Sequence, residues 1–152
     1  MGFFPLKEEL LIPSGIYEQM VGHAAGDAQN EVCGILAGYP TGSRPVGAGI
    51  DLVERIFQGK NADRSAVSYD LDPRQQLQIE KELRKEGMKM LAIYHSHPVG
   101  QAYPSPKDVL LAVWDVIYII IGFCPGDKNH VRAFRVCGDK TKTVQEVLFR
   151  IV

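Results

Sequence analysis

The apolar positions change their spacing several times along the chain, and each change marks a predicted element. Ile16, Tyr17, Met20, Val21 and Ala24 recur at the spacing of one buried helical face, so a helix is expected with Ser14 as its cap and Gly26 as its stop. Residues 32–39 are small or apolar and run into TGSRPVG, which reads as a strand entering a turn; a second strand is expected over residues 50–57. After a polar, irregular stretch, residues 67–71 have the pattern of a short strand. Asp72, Pro73 and Gln75 then combine a helix cap, a residue with a preset φ and a partner for a reciprocal capping bond. That helix is expected to run to Gly87. Lys81, Arg84 and Lys85 lie toward the end where the helix dipole favours positive charge, and Gly87 can take the left-handed closing conformation.

Residues 89–95 read as a strand, HSHPVGQAYPSP as a loop, and a helix is expected to begin near Ser105. Further strands are expected over residues 116–123, 131–136 and 143–151. This order predicts an α/β or α+β fold, with one mixed central sheet and helices packed against it. Residues 1–152 are expected to form a single domain without internal repeats.

Composition acts mainly by exclusion. The 17 basic and 18 acidic residues are interspersed and give a formal charge of −1, so there is no sustained positive field of the kind phosphate backbones require, and nucleic acid is not an expected partner. The longest apolar run, residues 116–123, is too short to cross a bilayer as a helix, so no membrane span is predicted. Acidic residues and Pro5 interrupt MGFFPLKEELLIP where a secretory signal needs an apolar stretch, and Leu6 stands where a myristoylation signal needs Ser or Thr. Cys33, Cys124 and Cys137 are odd in number and lack CxxC spacing, which predicts free thiols in a reducing cytoplasm.

The informative segment is YHSHPVGQAYPSPKD. His95 and His97 sit two apart at a strand end, where alternate side chains share a face, so both imidazoles can reach one metal ion. Pro98 biases the residue before it toward extended geometry, so the strand should persist through His97. The following loop can fold back to bring Asp108 to the pair. Two imidazole nitrogens and a carboxylate oxygen make three zinc ligands and leave a fourth position for water. Zinc lowers the pKa of that water to about 7 and polarises an attacked carbonyl, while a carboxylate that is not a ligand must handle the protons. SPKD is also a helix start in its own right, with Ser105 as cap and Asp108 as the acidic third residue; Asp108 can cap and ligate from the same turn. An isolated His-x-His is equally compatible with two ordinary strand histidines.

The spacing His-x-His, seven residues, Ser, two residues, Asp is met by His95, His97, Ser105 and Asp108 without insertion or deletion, and Glu31 to Gly34 has the form Glu-x-Cys-Gly. In both features the sequence resembles the JAMM or MPN-plus zinc metallopeptidases, specifically their prokaryotic single-domain branch. The resemblance extends over nearly the whole chain and implies a cytidine-deaminase-like three-layer α/β sandwich. It also implies one zinc ion with a bound water, held by His95, His97 and Asp108, with Glu31 as general base and acid. Ser105 would help hold the developing oxyanion by a hydrogen bond. Deaminase chemistry is not expected, because no CxxC completes the zinc site those enzymes use. The implied substrate is the bond after the C-terminal Gly-Gly tail of a ubiquitin-like protein, a sulfur carrier or a modifier.

Two competing readings remain. One is a metal-free MPN-type scaffold for protein assembly, disfavoured because every ligand position is filled; the other is a structural zinc site with Ser105 or a thiol as fourth ligand. Cys33 is expected to be a buried structural thiol, His23 and His130 ordinary surface or half-buried histidines, and Ser96 to face away from the histidine pair.

Overall fold

The computed structural model of the chain describes residues 6–39, 49–65, 69–126 and 130–152. The TGSRPVG turn lies outside the described residues, as do residues 67 and 68 of one expected short strand. At the end of that segment Leu71 forms an isolated antiparallel bridge with Asn61.

The chain enters through a strand that its local pattern does not predict. β1 (Glu8–Ile12) buries Leu10 and Ile12 completely and pairs in parallel with β8 (Thr143–Ile151), so its partner lies at the far end of the sequence. α1 (Ser14–Ala25) follows and ends at Gly26 as expected. Its start is shifted by one residue: Pro13 occupies the cap position, and Ser14 enters the helix with its amide N–H donated to the Val152 carbonyl at 2.8 Å. Met20 and Ala24 are buried, with Ile16 and Tyr17 packed against the same core.

β2 (Cys33–Gly38) is buried at every position, as a strand covered on both faces must be. Leu36 joins the core cluster that contains Met20 and Ala24 of α1. Ile35 and Ala37 point the other way, to Ile79 and Leu83 of α2 (Pro73–Glu86). The sheet is therefore covered by a helix on each side.

The single strand expected over residues 50–57 is two strands. β3 (Asp51–Leu52) runs parallel to β1, and β4 (Arg55–Gln58) runs antiparallel to β2. Between them the Val53 N–H donates to Leu11 O at 2.9 Å and the Glu54 N–H to Ala37 O at 2.8 Å. The chain thus passes from one edge of the sheet to the other within two residues, since β3 and β4 are the outer strands of the order β3-β1-β8-β7-β6-β5-β2-β4. Those two edges can be neighbours only if the mixed sheet curls on itself, and Val53 is completely buried at the junction.

Asp72 caps α2 by accepting the Arg74 N–H at 2.9 Å, and Gly87 closes it in the left-handed conformation (φ 71°). Gln75 does not make the reciprocal capping bond. Its amide brackets the end of β4, donating to Gln58 O and accepting the Lys60 N–H, while the Asp72 N–H that it would have accepted donates to Lys60 O at 3.1 Å. β5 (Lys89–His97) extends through His97, as the Pro98 argument predicts, and runs parallel to β6 (Ile117–Gly122). A parallel pair needs a crossover, and α3 (Pro106–Leu111) lies in it. β7 (Val131–Cys137) then joins β6 to β8 by antiparallel pairing. Among the described residues no helix is long and apolar enough to cross a membrane.

Gly34 lies opposite Tyr94 in the β2–β5 register, and a Cβ at this position would overlap the Tyr94 ring. The ring has nowhere to go. Tyr94 is completely buried, and its hydroxyl is held 2.7 Å from His23 Nδ1 on α1. Gly34→Ala is expected to destabilise the fold by about 1–3 kcal/mol, the usual cost of overpacking. A urea titration checks it: an unchanged midpoint would show that the strand pair can separate without loss.

Candidate metal centre

His95 and His97 project from the end of β5 on one face of the strand. The imidazole of His95 is buried and that of His97 is 13% exposed. Their Nε2 atoms lie 3.2 Å apart. Asp108, the third residue of α3, brings Oδ2 to 3.1 Å from His95 Nε2 and 3.0 Å from His97 Nε2. The three atoms form a nearly equilateral triangle.

His97 donates from Nδ1 to Gln101 O at 2.8 Å, which leaves a lone pair on its Nε2. In that tautomer the lone pair faces a carboxylate oxygen and the other imidazole, an arrangement that either a proton on Nε2 or a shared cation would satisfy. Ligands at 2.0–2.1 Å around a tetrahedral ion stand about 3.3 Å from one another, close to the edges of this triangle. The donor set and its spacing fit a divalent metal.

Glu31 precedes β2 and joins the group: one ligand atom from each of Glu31, His95, His97 and Asp108 lies within 4.8 Å of the others. Its delivery is a backbone matter. Ser96 projects from β5 away from the histidines, as strand alternation requires, and is completely buried; its Oγ accepts the Val32 N–H at 2.9 Å, and its own N–H donates to Val32 O at 3.0 Å. The Glu31 N–H donates to Ser65 O at 2.7 Å, and Asn61 Nδ2 donates to Glu31 O at 2.9 Å. The backbone is thereby fixed, while one carboxylate oxygen, Oε1, is buried with no hydrogen-bond partner among the described residues.

Burial is the main influence on the titrating groups. It pushes the Glu31 carboxyl up to about 7, against the pull of the His97 imidazole. It pulls His95 below the ordinary imidazole range. For His97 burial acts in the same sense, but the Asp108 hydrogen bond and charge outweigh it and leave the imidazole above its usual value. Burial would raise Asp108, yet the two histidines and the Ser105 amide hold it well below the carboxylate range.

α3 buries no apolar side chain, so Asp108, itself only 10% exposed, is kept in place from the helix ends. At its start the capping box is complete: Ser105 N–H donates to Asp108 Oδ2 at 2.9 Å, and Asp108 N–H donates to Ser105 Oγ at 3.1 Å. Asp108 both caps and faces the imidazoles. At the other end Lys142, from the segment between β7 and β8, donates through Nζ to Val109 O, Leu110 O and Ala112 O at 3.0, 3.0 and 2.9 Å. The loop between the histidines and α3 rests on Gly122, where a Cβ would come 2.5 Å from Ala102 N, and Phe123 N–H ties it down through Gly100 O at 3.0 Å.

The structure therefore brings together Glu31, His95, His97 and Asp108, with Ser105 bonded to Asp108. Cys33 is buried, its thiol pushed up to about 12 by burial, as suits a structural thiol. His23 is half-buried against Tyr94, and His130 is exposed. Three residues of the site's surroundings escape sequence reasoning: Lys142, Asn61 and Tyr69, whose ring stacks on His95. None carries a local signal, because each reaches the centre only through the tertiary fold.

The family described as prokaryotic homologs of the JAB domain matches residues 13–137. The chain is 37% identical over 126 residues to a probable TtuB-protein conjugate cleaving protease of Thermus thermophilus, covering 82% of this chain and 74% of that protein. It is 35% identical over 128 residues to the CysO-cysteine peptidase of Mycobacterium tuberculosis, covering 84% and 82%. The solution structure of a protein from Desulfitobacterium hafniense superposes with a TM-score of 0.73 at 29% identity, covering 94% of each chain.

Lys142→Met keeps the apolar stem and removes the ammonium that closes α3. Loss of these charged hydrogen bonds is expected to lower stability by about 1–3 kcal/mol and to weaken metal binding by loosening Asp108. Denaturant unfolding and chelator competition measure the two effects, and wild-type values for both would mean that α3 stands without this anchor.

Proposed function

Because the chain belongs to the family of prokaryotic homologs of the JAB domain, we propose that it is a zinc metallopeptidase of the JAMM type acting as a single catalytic domain. Its substrate in this reading is the peptide or isopeptide bond after the C-terminal Gly-Gly tail of a ubiquitin-like protein, a sulfur carrier or a modifier. The observation that carries the reading is the convergence of His95 Nε2, His97 Nε2 and Asp108 Oδ2 with Glu31 beside them. The names of the relatives, a conjugate cleaving protease and a CysO-cysteine peptidase, support a protein-linked substrate. The helices on both faces of the sheet agree with a cytidine-deaminase-like three-layer sandwich, and free cysteines agree with a cytoplasmic setting.

His95, His97 and Asp108 would hold the zinc. Bound there, zinc supplies Lewis acidity toward a water molecule and the scissile carbonyl. Glu31 takes the proton of the attacking water and passes it to the leaving amine; its carboxyl, pushed up to about 7, suits both directions of transfer. Ser105 Oγ accepts the Asp108 N–H, which leaves the hydroxyl proton available for the developing oxyanion. A cleft of about 300 Å³, with Asp108 at its margin, is lined by Gly34, Tyr69, Leu71, Met90, Ile93 and Trp114. A largely apolar cleft beside Asp108 is compatible with an extended tail that lacks bulky side chains. The scaffold reading gains nothing from these features, since four titratable groups meeting at one buried point have no role in it.

The test is incubation with ubiquitin-like proteins from the same genome, with and without chelator, read by intact mass. A defined mass lost from a Gly-Gly terminus, and only without chelator, is the expected result; no release from any of them would count against the substrate class. Glu31→Gln should retain fold and zinc while turnover falls by about 10²–10⁴-fold. His97→Ala should lose zinc and activity together. A Glu31→Gln protein with wild-type turnover would remove Glu31 from the proton transfers.

A further inference from the structure

We propose that Tyr69 is the positioning residue for His95, its ring holding by stacking an imidazole whose Nδ1 has no hydrogen-bond partner among the described residues. This rests on the metal reading of the site. A histidine that binds a metal through one ring nitrogen is ordinarily oriented through the other, which donates to a carbonyl or carboxylate. His97 follows that rule: its Nδ1 donates to Gln101 O at 2.8 Å. His95 breaks it, because its Nδ1 is buried without a hydrogen-bond partner among the described residues.

The torsion that turns an imidazole about its Cβ–Cγ bond has a broad minimum, so a ring held through one nitrogen alone gains from another restraint. Tyr69 provides one. Its ring centroid lies 4.2 Å from that of His95 with the planes 21° apart, whereas His95 and His97 are tilted by 59° and leave the stacked face to Tyr69.

The tyrosine is itself held. The Asp70 N–H donates to Asn61 Oδ1 at 2.8 Å, and Asp70 O accepts the Ala62 N–H at 2.7 Å, while Leu71 bridges to Asn61. Asn61 in turn donates from Nδ2 to Glu31 O. One asparagine therefore fixes both the segment that carries the stacking ring and the backbone of Glu31. The stacked face, rather than the phenol hydroxyl, does the positioning.

The experiment measures Zn²⁺ affinity of the full chain by chelator competition for wild type, Tyr69→Phe, Tyr69→Leu and Tyr69→Ala, with the absorption spectrum of the Co²⁺-loaded protein as a readout of ligand geometry. Tyr69→Phe is expected to match wild type in both. Tyr69→Leu and Tyr69→Ala are expected to bind Zn²⁺ about 10–100-fold more weakly, with a shifted Co²⁺ spectrum. Should the alanine variant fail to fold without metal, the leucine variant, which retains apolar bulk, decides. Wild-type affinity and spectrum in Tyr69→Leu would overturn the proposal, as would an equal loss in Tyr69→Phe, which would transfer the role to the hydroxyl. A wild-type chain that binds no Zn²⁺ would overturn the metal reading itself, a result separate from either.

Discussion

Asp108 Oδ2 accepts the Ser105 amide hydrogen at 2.9 Å and stands 3.1 and 3.0 Å from two imidazole nitrogens. One oxygen thus closes the start of a six-residue helix and completes a triangle of atoms that could hold a metal ion. A helix this short has little stability of its own, since the cost of its first turn is spread over very few hydrogen bonds. With no buried apolar side chain to dock it, α3 depends on its ends: the capping box with Ser105 at one, and the Lys142 ammonium against three carbonyls at the other. Polar contacts set the position of Asp108, and apolar packing sets the positions of His95 and His97.

The histidines stand on the firmest part of the fold. β5 lies between β2 and β6, and all six residues of both neighbours are buried. Parallel pairing of β5 with β6 requires the crossover that returns the chain with Asp108, so the topology of the sheet and the assembly of the site are one constraint. Ser96 carries this rigidity across to Glu31. Facing away from the histidines, it bonds both backbone groups of Val32 and sets the neighbouring glutamate at the open end of the same strand pair.

The curl of the sheet explains how charged groups come to be buried together. Two residues, Val53 and Glu54, carry the chain between the outermost strands, so the sheet wraps a continuous core that includes Leu10, Ile12, Val53 and Tyr94. Inside such a wall a carboxyl that lacks partners rises toward neutrality, as Glu31 does, and an imidazole falls, as His95 does. The same enclosure favours the stacking of Tyr69 on His95, because desolvated aromatic faces keep close contact.

Much of this was legible in the residues alone. Period and punctuation located α1, α2, the start of α3, and the strands β2 and β5 to β8; the spacing of His95, His97, Ser105 and Asp108 pointed to residues that the fold brings together. Those signals are local: alternation puts two histidines on one strand face, and a cap needs only its own first turn. What the tertiary structure decided is everything that depends on distant partners. β1 exists because β8 pairs with it across the length of the chain, and residues 50–57 divide because two sheet edges claim different parts of them. Gln75 leaves its cap for the backbone of β4. Lys142, Asn61 and Tyr69 reach the centre only after the sheet has curled. Short-range chemistry is written in neighbouring residues, whereas contacts closed by long loops are selected by the packing of the whole chain, and no window of sequence contains that information.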